Sequence, residues 1–211
     1  MVKILFQGDS ITDALRTRDN ENYLGSGYAN IVSAKLGCDF PEKYKFINKG
    51  ISGNRITDLY LRIRKDIIDI APDYLSVLIG VNDVWHELDV KDGVSAPKFE
   101  KVYDLLLSEI KEALPNIKFI IMEPFILKGS ATSPDKKTWK YFEEEMELRR
   151  QVCKKMAEKY DAVYVKLQNK FNEVQSEVKD MSYYLRDGVH PTAAGSEIIA
   201  REWIKEVFKI L

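Results

Sequence analysis

Five short apolar segments alternate with longer stretches of helical character along this chain of 211 residues. Strands that alternate with helices of this length predict βαβ units, and therefore an α/β fold with a parallel sheet and helices on both faces. In the helical stretches the apolar residues recur on one face. The predicted strands are Lys3–Gln7, Lys45–Asn48, Leu75–Ile79, Phe119–Met122 and Ala162–Val165. The predicted helices are Arg55–Ile70, Phe99–Leu114, Lys137–Tyr160 and a last helix that opens near Thr192.

The chain is long enough for one α/β domain with a full core, and we expect residues 1–211 to form that single domain. Its formal net charge of -1 argues against a general nucleic-acid or anionic-membrane binder. No apolar run approaches the roughly 20 residues that cross a bilayer. The chain starts in a strand without signal-peptide features, and two cysteines suggest no disulfide framework. We therefore expect a cytoplasmic protein that starts at Met1, with neither nucleic-acid nor membrane partners.

The first predicted strand is followed at once by Gly8-Asp9-Ser10-Ile11-Thr12. The glycine allows a sharp turn, so Ser10 lies at the carboxyl end of the strand, where open α/β sheets bind ligands. A helix that begins just after Ser10 would direct its free N–H groups and its positive dipole end at whatever the serine holds. Ser10 is thus a candidate nucleophile, provided that the chain supplies a base and an oxyanion site.

The chain has only two histidines, and His190 is the stronger candidate base. It lies in the run Asp187-Gly188-Val189-His190-Pro191, a turn that enters a helix, with Thr192 or a neighbour available as the cap. Such a turn can bring the Asp187 carboxylate to the imidazole, which would fix the tautomer while His190 takes a proton from Ser10. The alternative is that Asp187 and His190 merely cap the helix. His86 has no carboxylate at a comparable spacing and is more simply a surface residue.

Two loops after predicted strands could supply the donors of an oxyanion site. The run Asn48-Lys49-Gly50-Ile51-Ser52-Gly53-Asn54 has glycines that let backbone N–H groups approach a ligand. The run Gly80-Val81-Asn82-Asp83 presents an amide side chain at a strand end. Taken singly, each loop is more often a plain turn, because Gly, Asn and Asp dominate turns. Together they bring Gly53 and Asn82 to the same predicted edge as Ser10.

In chain order these features are Gly8-Asp9-Ser10, the Gly53 loop, Gly80-x-Asn82-Asp83 and Asp187-x-x-His190-Pro191. They resemble the four blocks of the SGNH (GDSL-type) hydrolases, and the resemblance covers nearly the whole chain. It implies a flavodoxin-like three-layer α/β/α sandwich with a five-stranded parallel sheet. It also implies a catalytic triad of Ser10, His190 and Asp187, and an oxyanion hole made by the backbone N–H groups of Ser10 and Gly53 with the Asn82 side chain. No cofactor is implied.

Within that family, several phrases of the chain look most like intracellular acetylxylan esterases. They are Gly8-Asp9-Ser10-Ile11-Thr12-Asp13, Leu24-Gly25-Ser26-Gly27-Tyr28, Asn48-Lys49-Gly50-Ile51-Ser52-Gly53-Asn54 and Asn82-Asp83-Val84-Trp85. This likeness favours a serine esterase that removes a small acyl group, such as acetyl, from a carbohydrate. Acetylated xylo-oligosaccharides are one such substrate. A lipid- or thioester-directed hydrolase and a flavodoxin-like binding module without catalysis are the alternatives.

Four further residues are candidates for substrate binding: Asp9, Asp83, Trp85 and Tyr184. Trp85 could form a wall on which a sugar ring stacks, or could be a partly buried edge aromatic. For Tyr184 and its neighbour Tyr183, core packing is the simpler interpretation. Asp9 and Asp83 with Asp13 could mimic an acidic metal pocket. The same edge also carries a serine, a histidine and an amide, which hard divalent cations do not need as ligands. We therefore expect no metal.

The last predicted helix carries two large aromatic residues, Trp203 and Phe208. Hydrolases of this size often associate, and these side chains could serve the interface of a homo-oligomer. The alternative is that the helix packs on the sheet.

Overall fold

The computed structural model describes all 211 residues and confirms the predicted sheet. All neighbouring strands are parallel, and their order across the sheet is β2-β1-β3-β4-β5. This is the flavodoxin-like order, in which chemistry gathers at the carboxyl ends of the strands. The strands are β1 (Val2–Gly8), β2 (Tyr44–Asn48), β3 (Tyr74–Leu78), β4 (Lys118–Met122) and β5 (Val163–Val165).

Helices cover both faces of the sheet, which gives the expected three layers. The helices α2, α7 and α8 pack on one face, α3 and α5 pack on the other, and the long α6 contributes to both cores. None of the helices combines the length and the apolarity that a bilayer crossing requires. The helices are α1 (Ser10–Asp13), α2 (Tyr28–Asp39), α3 (Ile56–Leu61), α4 (Val81–Val90), α5 (Ala96–Ala113), α6 (Lys136–Lys159), α7 (Gln168–Ser176) and α8 (Ala193–Val207).

The central strand β1 shows why these segments are apolar on both sides. Ile4 and Phe6 point into one core and Leu5 into the other, and all three are fully buried. A parallel strand covered by helices on both faces has no solvent side, so it reads as a continuous apolar run rather than an alternating one. The strand signal in the sequence is therefore strong for β1.

The sequence predicts one continuous helix over Arg55–Ile70, and the continuity of this helix is wrong. The structure has α3, then a break at Arg62, and then a π-helical turn over Arg64–Ile68. The predicted apolar face still holds, because Ile56 and Leu59 are buried on the same side. The break accompanies an inward turn of the Arg62 side chain, which hydrogen-bonds to groups at the end of β1 and in the loop after β2. A periodic pattern does not reveal such a turn, because arginine on the polar face of a helix is ordinarily solvated.

Trp203 on α8 is part of the core rather than of an interface. Its side chain is fully buried, and its indole N–H donates to the Ser76 hydroxyl on β3 at 3.0 Å. The helix therefore packs on the sheet, and the expectation that Trp203 serves an oligomer contact is wrong. Phe208 is 51% exposed and its ring lies 5.8 Å from that of Phe40, so only this second aromatic faces solvent.

Candidate active site

The turn after β1 places Ser10 at the first residue of α1. Gly8 has a φ of +159°, and a Cβ atom there would lie 2.3 Å from the Leu78 carbonyl oxygen, so no larger residue fits without a shift. Asp9 caps the helix, because its carboxylate accepts the N–H of Ile11 at 3.0 Å. The cap begins the helix at Ser10 itself and turns its hydroxyl to the carboxyl edge of the sheet.

A carboxylate, an imidazole and the Ser10 hydroxyl form one continuous relay at this edge. The Oγ atom of Ser10 lies 2.9 Å from Nε2 of His190. On the other side of the ring, Nδ1 of His190 lies 2.6 Å from Oδ2 of Asp187. An ionised carboxylate can only accept, so Nδ1–H donates to Asp187 and Nε2 of the neutral ring is left to accept from the Ser10 hydroxyl.

The local environment keeps the Asp187 carboxylate ionised. Burial by itself raises its pKa, but the side chain of His190 and the backbone N–H groups of His190 and Val189 donate to it and outweigh that effect. The pKa of Asp187 is therefore held below its usual value. An acceptor that stays charged fixes both the orientation and the tautomer of the imidazole.

The turn that carries this pair is held by the loop after β4. Residues 123–135 form that loop, and Ala131 donates its N–H to the Asp187 carbonyl at 3.0 Å. Thr192 is the N-cap of α8 and accepts from Gly195 at 3.3 Å. The alternative that Asp187 and His190 merely cap the helix is therefore wrong, since the cap is supplied by the threonine.

Three donors with free N–H groups follow three neighbouring strands, as the sequence predicts. The backbone N–H groups of Ser10 and Gly53 make no hydrogen bond within the chain, and Gly53 has the positive φ of +80°. The Asn82 amide donates one of its two N–H bonds to the Asn54 carbonyl at 3.0 Å, which fixes its orientation and leaves the other bond free. Such donors can bind an oxygen on which negative charge develops.

Two residues that sequence reasoning missed hold the loop of Gly53 in place. Asn48 donates to the carbonyls of Thr12 and Leu24 at 2.6 and 2.8 Å, so it ties the end of β2 to the segment after Ser10. Arg62 donates to the Asn54 side chain at 2.9 Å and to the Gln7 side chain at 2.7 Å. The only signal for Asn48 is its place at a strand end.

Asp9 and Asp83 lie behind the site rather than in it. They are 1% and 0% exposed, and burial raises the pKa of each to about 7. Asp83 accepts the N–H of Ile56 at 3.1 Å and so links the starts of α4 and α3. The expectation that these carboxylates contact substrate is corrected accordingly. Asp13 is also engaged with backbone, since it accepts the N–H of Ser52 at 3.0 Å.

Replacement of Asp83 by asparagine is expected to change how stability depends on pH. Because burial raises the folded-state pKa of Asp83 from 3.8 to about 7, the folded protein binds more protons than the unfolded chain between these values. Stability from this group therefore falls as the pH rises through that window. The free energy of unfolding of Asp83→Asn minus that of the parent should increase from about pH 5 to about pH 8, measured by urea denaturation.

The matched control for this measurement is Asp19→Asn, a change at an exposed carboxylate. The difference in the free energy of unfolding between Asp19→Asn and the parent should be the same at both pH values. An Asp83→Asn difference that is equally independent of pH would contradict the buried, protonated state assigned to Asp83.

The structure places the two aromatic candidates differently. Trp85 is half-buried, and its ring centre lies 5.9 Å from that of His190 and 6.3 Å from that of Phe142. It is therefore a partly buried aromatic that packs against the core beside the relay, which leaves both interpretations of the sequence, edge aromatic and wall for a sugar ring, in place. Tyr184 is half-buried and packs against the core, with its ring edge-on to that of Tyr183 at 4.9 Å. Tyr183 is 52% exposed, so the expectation of core packing is wrong for this residue.

A hydroxyl, an oriented imidazole and unpaired N–H donors at the edge of a parallel sheet form the arrangement with which serine hydrolases transfer an acyl group to the enzyme and then to water. The model of the GDSL-like lipase/acylhydrolase family matches residues 6–198. The chain belongs to this family, and it is a carboxylic ester hydrolase.

An acetylxylan esterase and two solved structures are similar to this chain. The chain is 35% identical to an acetylxylan esterase from Geobacillus stearothermophilus over 97% of this chain and 93% of that protein. The crystal structure of an acetylxylan esterase from that organism matches with a TM-score of 0.85 at 34% identity, over 98% of this chain and 94% of that one. A GDSL-like protein from Parabacteroides merdae matches with a TM-score of 0.91 at 32% identity, over 98% and 95% of the two chains.

Proposed function

We propose that this esterase removes acetyl groups from the hydroxyls of carbohydrates such as acetylated xylo-oligosaccharides. The observation that carries the proposal is the relay from Asp187 through His190 to Ser10, with distances of 2.6 and 2.9 Å. The choice of an acetylated sugar is supported by the likeness to the acetylxylan esterase of Geobacillus stearothermophilus. Two solved structures of that enzyme are described as catalytic mutants, with a serine and a histidine replaced by alanine.

In the acylation half-reaction, the Ser10 oxygen attacks the ester carbonyl carbon while Nε2 of His190 takes the hydroxyl proton. The tetrahedral intermediate then collapses, the bond from carbon to the sugar oxygen breaks, and His190 returns the proton to that oxygen. The acyl group remains on Ser10. Water, activated by His190, then attacks the acyl-enzyme and releases acetate and the free serine. Asp187 stabilises the imidazolium in both halves.

The carbonyl oxygen becomes negative in each tetrahedral intermediate, and the free N–H groups of Ser10, Gly53 and Asn82 are the donors proposed to bind it. These donors are preorganised, since the Asn82 amide is already anchored on the Asn54 carbonyl. Little reorganisation is therefore needed when charge develops, which is the condition under which such donors are most effective.

Replacing Asn82 by alanine is expected to lower kcat for p-nitrophenyl acetate about 100-fold or more, with a smaller effect on KM. The side chain is 6% exposed, and the donor it removes acts on the intermediate rather than on the ground state. Asn20→Ala is the matched control, because it removes an exposed amide in the loop after α1. A kcat within a few-fold of the parent for Asn82→Ala would exclude this amide from the oxyanion hole.

The substrate class is tested with a panel of acetylated xylo-oligosaccharides, other acetylated sugars and p-nitrophenyl esters of increasing acyl length. We expect the highest kcat/KM on acetylated saccharides and a steep decline as the acyl chain lengthens. A long acyl chain needs an extended apolar channel, and the likeness to an acetylxylan esterase favours a small acyl group instead. Preference for long acyl chains would instead favour a lipid-directed hydrolase. A fluorophosphonate should label Ser10 in either kind of hydrolase, whereas a binding module without catalysis would not be labelled.

A further inference from the structure

Arg186 is the one arginine of the chain whose guanidinium has no partner. The chain has nine arginines, and the other eight each hydrogen-bond or ion-pair with an acidic side chain or a backbone carbonyl. Arg186 is exposed and directly precedes Asp187. Its backbone N–H donates to the His190 carbonyl at 3.0 Å, which fixes its place beside the relay. The backbone of Arg186 is thus fixed beside the relay, and its guanidinium is left unpaired.

Arg186 lines a cavity of about 220 Å³ whose wall also includes Ser10 and His190. No carboxylate lines this cavity. Gly27, the N-cap of α2, and Thr192, the N-cap of α8, both lie in its wall, and Gly27 offers no side chain to its helix. Helix N-termini carry free N–H groups and a partial positive charge. The arginine and the two helix ends therefore place positive charge at this wall, while the ionised Asp187 lies on the other side of the His190 ring and is paired with it.

The cavity adjoins His190, the group that returns a proton to the departing alcohol in the proposed reaction. His190 protonates the leaving oxygen, and the cavity wall continues from His190 through Pro191 and Thr192 to Ser196. Gly53 and Asn82, which face the carbonyl oxygen, are not part of this wall. Ser196 is only 5% exposed, and its side chain lines the cavity. The alcohol portion of the ester, the sugar, is thus the part of the substrate that meets this positive charge.

We propose that this cavity binds an anionic substituent on the sugar, and that Arg186 is its specificity-determining residue. The chemistry required is a carboxylate or a phosphate on the saccharide that carries the acetyl group, because a guanidinium binds either with paired N–H donors. A uronic acid unit or a sugar phosphate could supply it. The inference rests on the proposed function, since it assigns the leaving group of that same reaction.

The test compares kcat/KM for three acetylated saccharides that differ in charge. They are a neutral xylo-oligosaccharide, the same oligosaccharide bearing a glucuronic acid unit, and a sugar phosphate. The parent is compared with Arg186→Gln and with Arg186→Lys. Arg64→Gln is the matched control, because it removes the same charge from an 80% exposed side chain that pairs with Asp69 on the π-helical turn. Dividing kcat/KM for a charged substrate by kcat/KM for the neutral one cancels any effect of a substitution on the chemistry that all substrates share.

We expect the parent to favour one charged substrate over the neutral one by about fivefold, mainly through KM, as for a single solvated ion pair. The ratio should fall to near one in Arg186→Gln, recover in part in Arg186→Lys, and stay at the parent value in Arg64→Gln. It should also decrease as ionic strength rises. Whichever charged substrate is favoured identifies the source of the anion. A parent ratio near one for both, or an unchanged ratio in Arg186→Gln, overturns the proposal.

If the proposed function fails, the results differ from those that overturn the anion site, and the cavity can still be tested. In that case p-nitrophenyl acetate is cleaved but no acetylated saccharide is. Inhibition of that cleavage by glucuronate and by inorganic phosphate then reports on the cavity alone. Competitive inhibition that Arg186→Gln weakens supports the anion site, and absence of inhibition by either anion overturns it.

Discussion

Replacing Ser10 by alanine is expected to lower kcat for p-nitrophenyl acetate by at least about 10⁴-fold, because no other hydroxyl stands at Nε2 of His190 to form the acyl-enzyme. His190→Ala should cause a loss of similar size, since the serine then has no acceptor for its proton. The double variant should be little worse than either single one, as is usual for residues that act as a unit. Initial rates over a range of substrate concentrations measure these losses.

Ser108→Ala is the matched control for Ser10→Ala, because Ser108 is an exposed hydroxyl on α5 that bonds to the Leu105 carbonyl. It should keep the parent kcat. Thermal unfolding of Ser10→Ala should show a stability close to that of the parent, since the change removes one hydroxyl at a half-buried surface. A folded Ser10→Ala protein with more than about a tenth of the parent activity would refute the assignment of the nucleophile.

Replacing Asp187 by asparagine is expected to lower kcat by about 10⁴-fold while the fold is retained. An asparagine oxygen can still accept the N–H groups of Val189 and His190. Its NH₂ group, however, would face Nδ1 of His190 as a donor, which favours the tautomer with the proton on Nε2. That nitrogen could then no longer accept the Ser10 proton.

The measurement is kcat as a function of pH, with thermal unfolding to verify that the variant is folded. In the parent, the pKa of Asp187 is held below its usual value, so protonation of this carboxylate should not limit activity at any pH above about 4. Asp180→Asn, at an exposed carboxylate that bonds only to neighbouring residues, is the control and should leave kcat unchanged. A loss below about tenfold in Asp187→Asn would show that another group orients the imidazole.

The strands could be predicted from the sequence because burial on both faces leaves a run of apolar residues that few other structures require. The helices were harder. The long α5 and α6 have a clear apolar face, but α2 was not predicted, since its buried face combines Tyr28 and Ala29 with Val32 and Leu36 while Ile31 lies partly outside it. A pattern of this kind is weakly amphipathic, and its packing against α8 is a long-range contact.

The candidate relay was also accessible from the sequence, because Ser10, Asp187 and His190 each follow a recognisable local signal. Local signals failed for three charged residues that the structure turns inward. Asp9 and Asp83 looked like substrate contacts, and Arg62 lay on the polar side of the predicted helix. Asp9 caps α1 through the N–H of Ile11, whereas Asp83 and Arg62 bond to backbone groups of Ile56 and Lys49, which are distant in the chain.

By itself, the sequence determined the alternation of strands and helices, the parallel sheet that follows from it, and the edge at which the serine, the histidine and the amide had to meet. These properties depend on periodicity and on turns, which are local. Only the tertiary structure decided which carboxylates are buried, which loop holds Gly53, and which arginine is left unpaired beside the relay. Those properties depend on the distances between groups that are remote in sequence, and such distances exist only once the chain has packed.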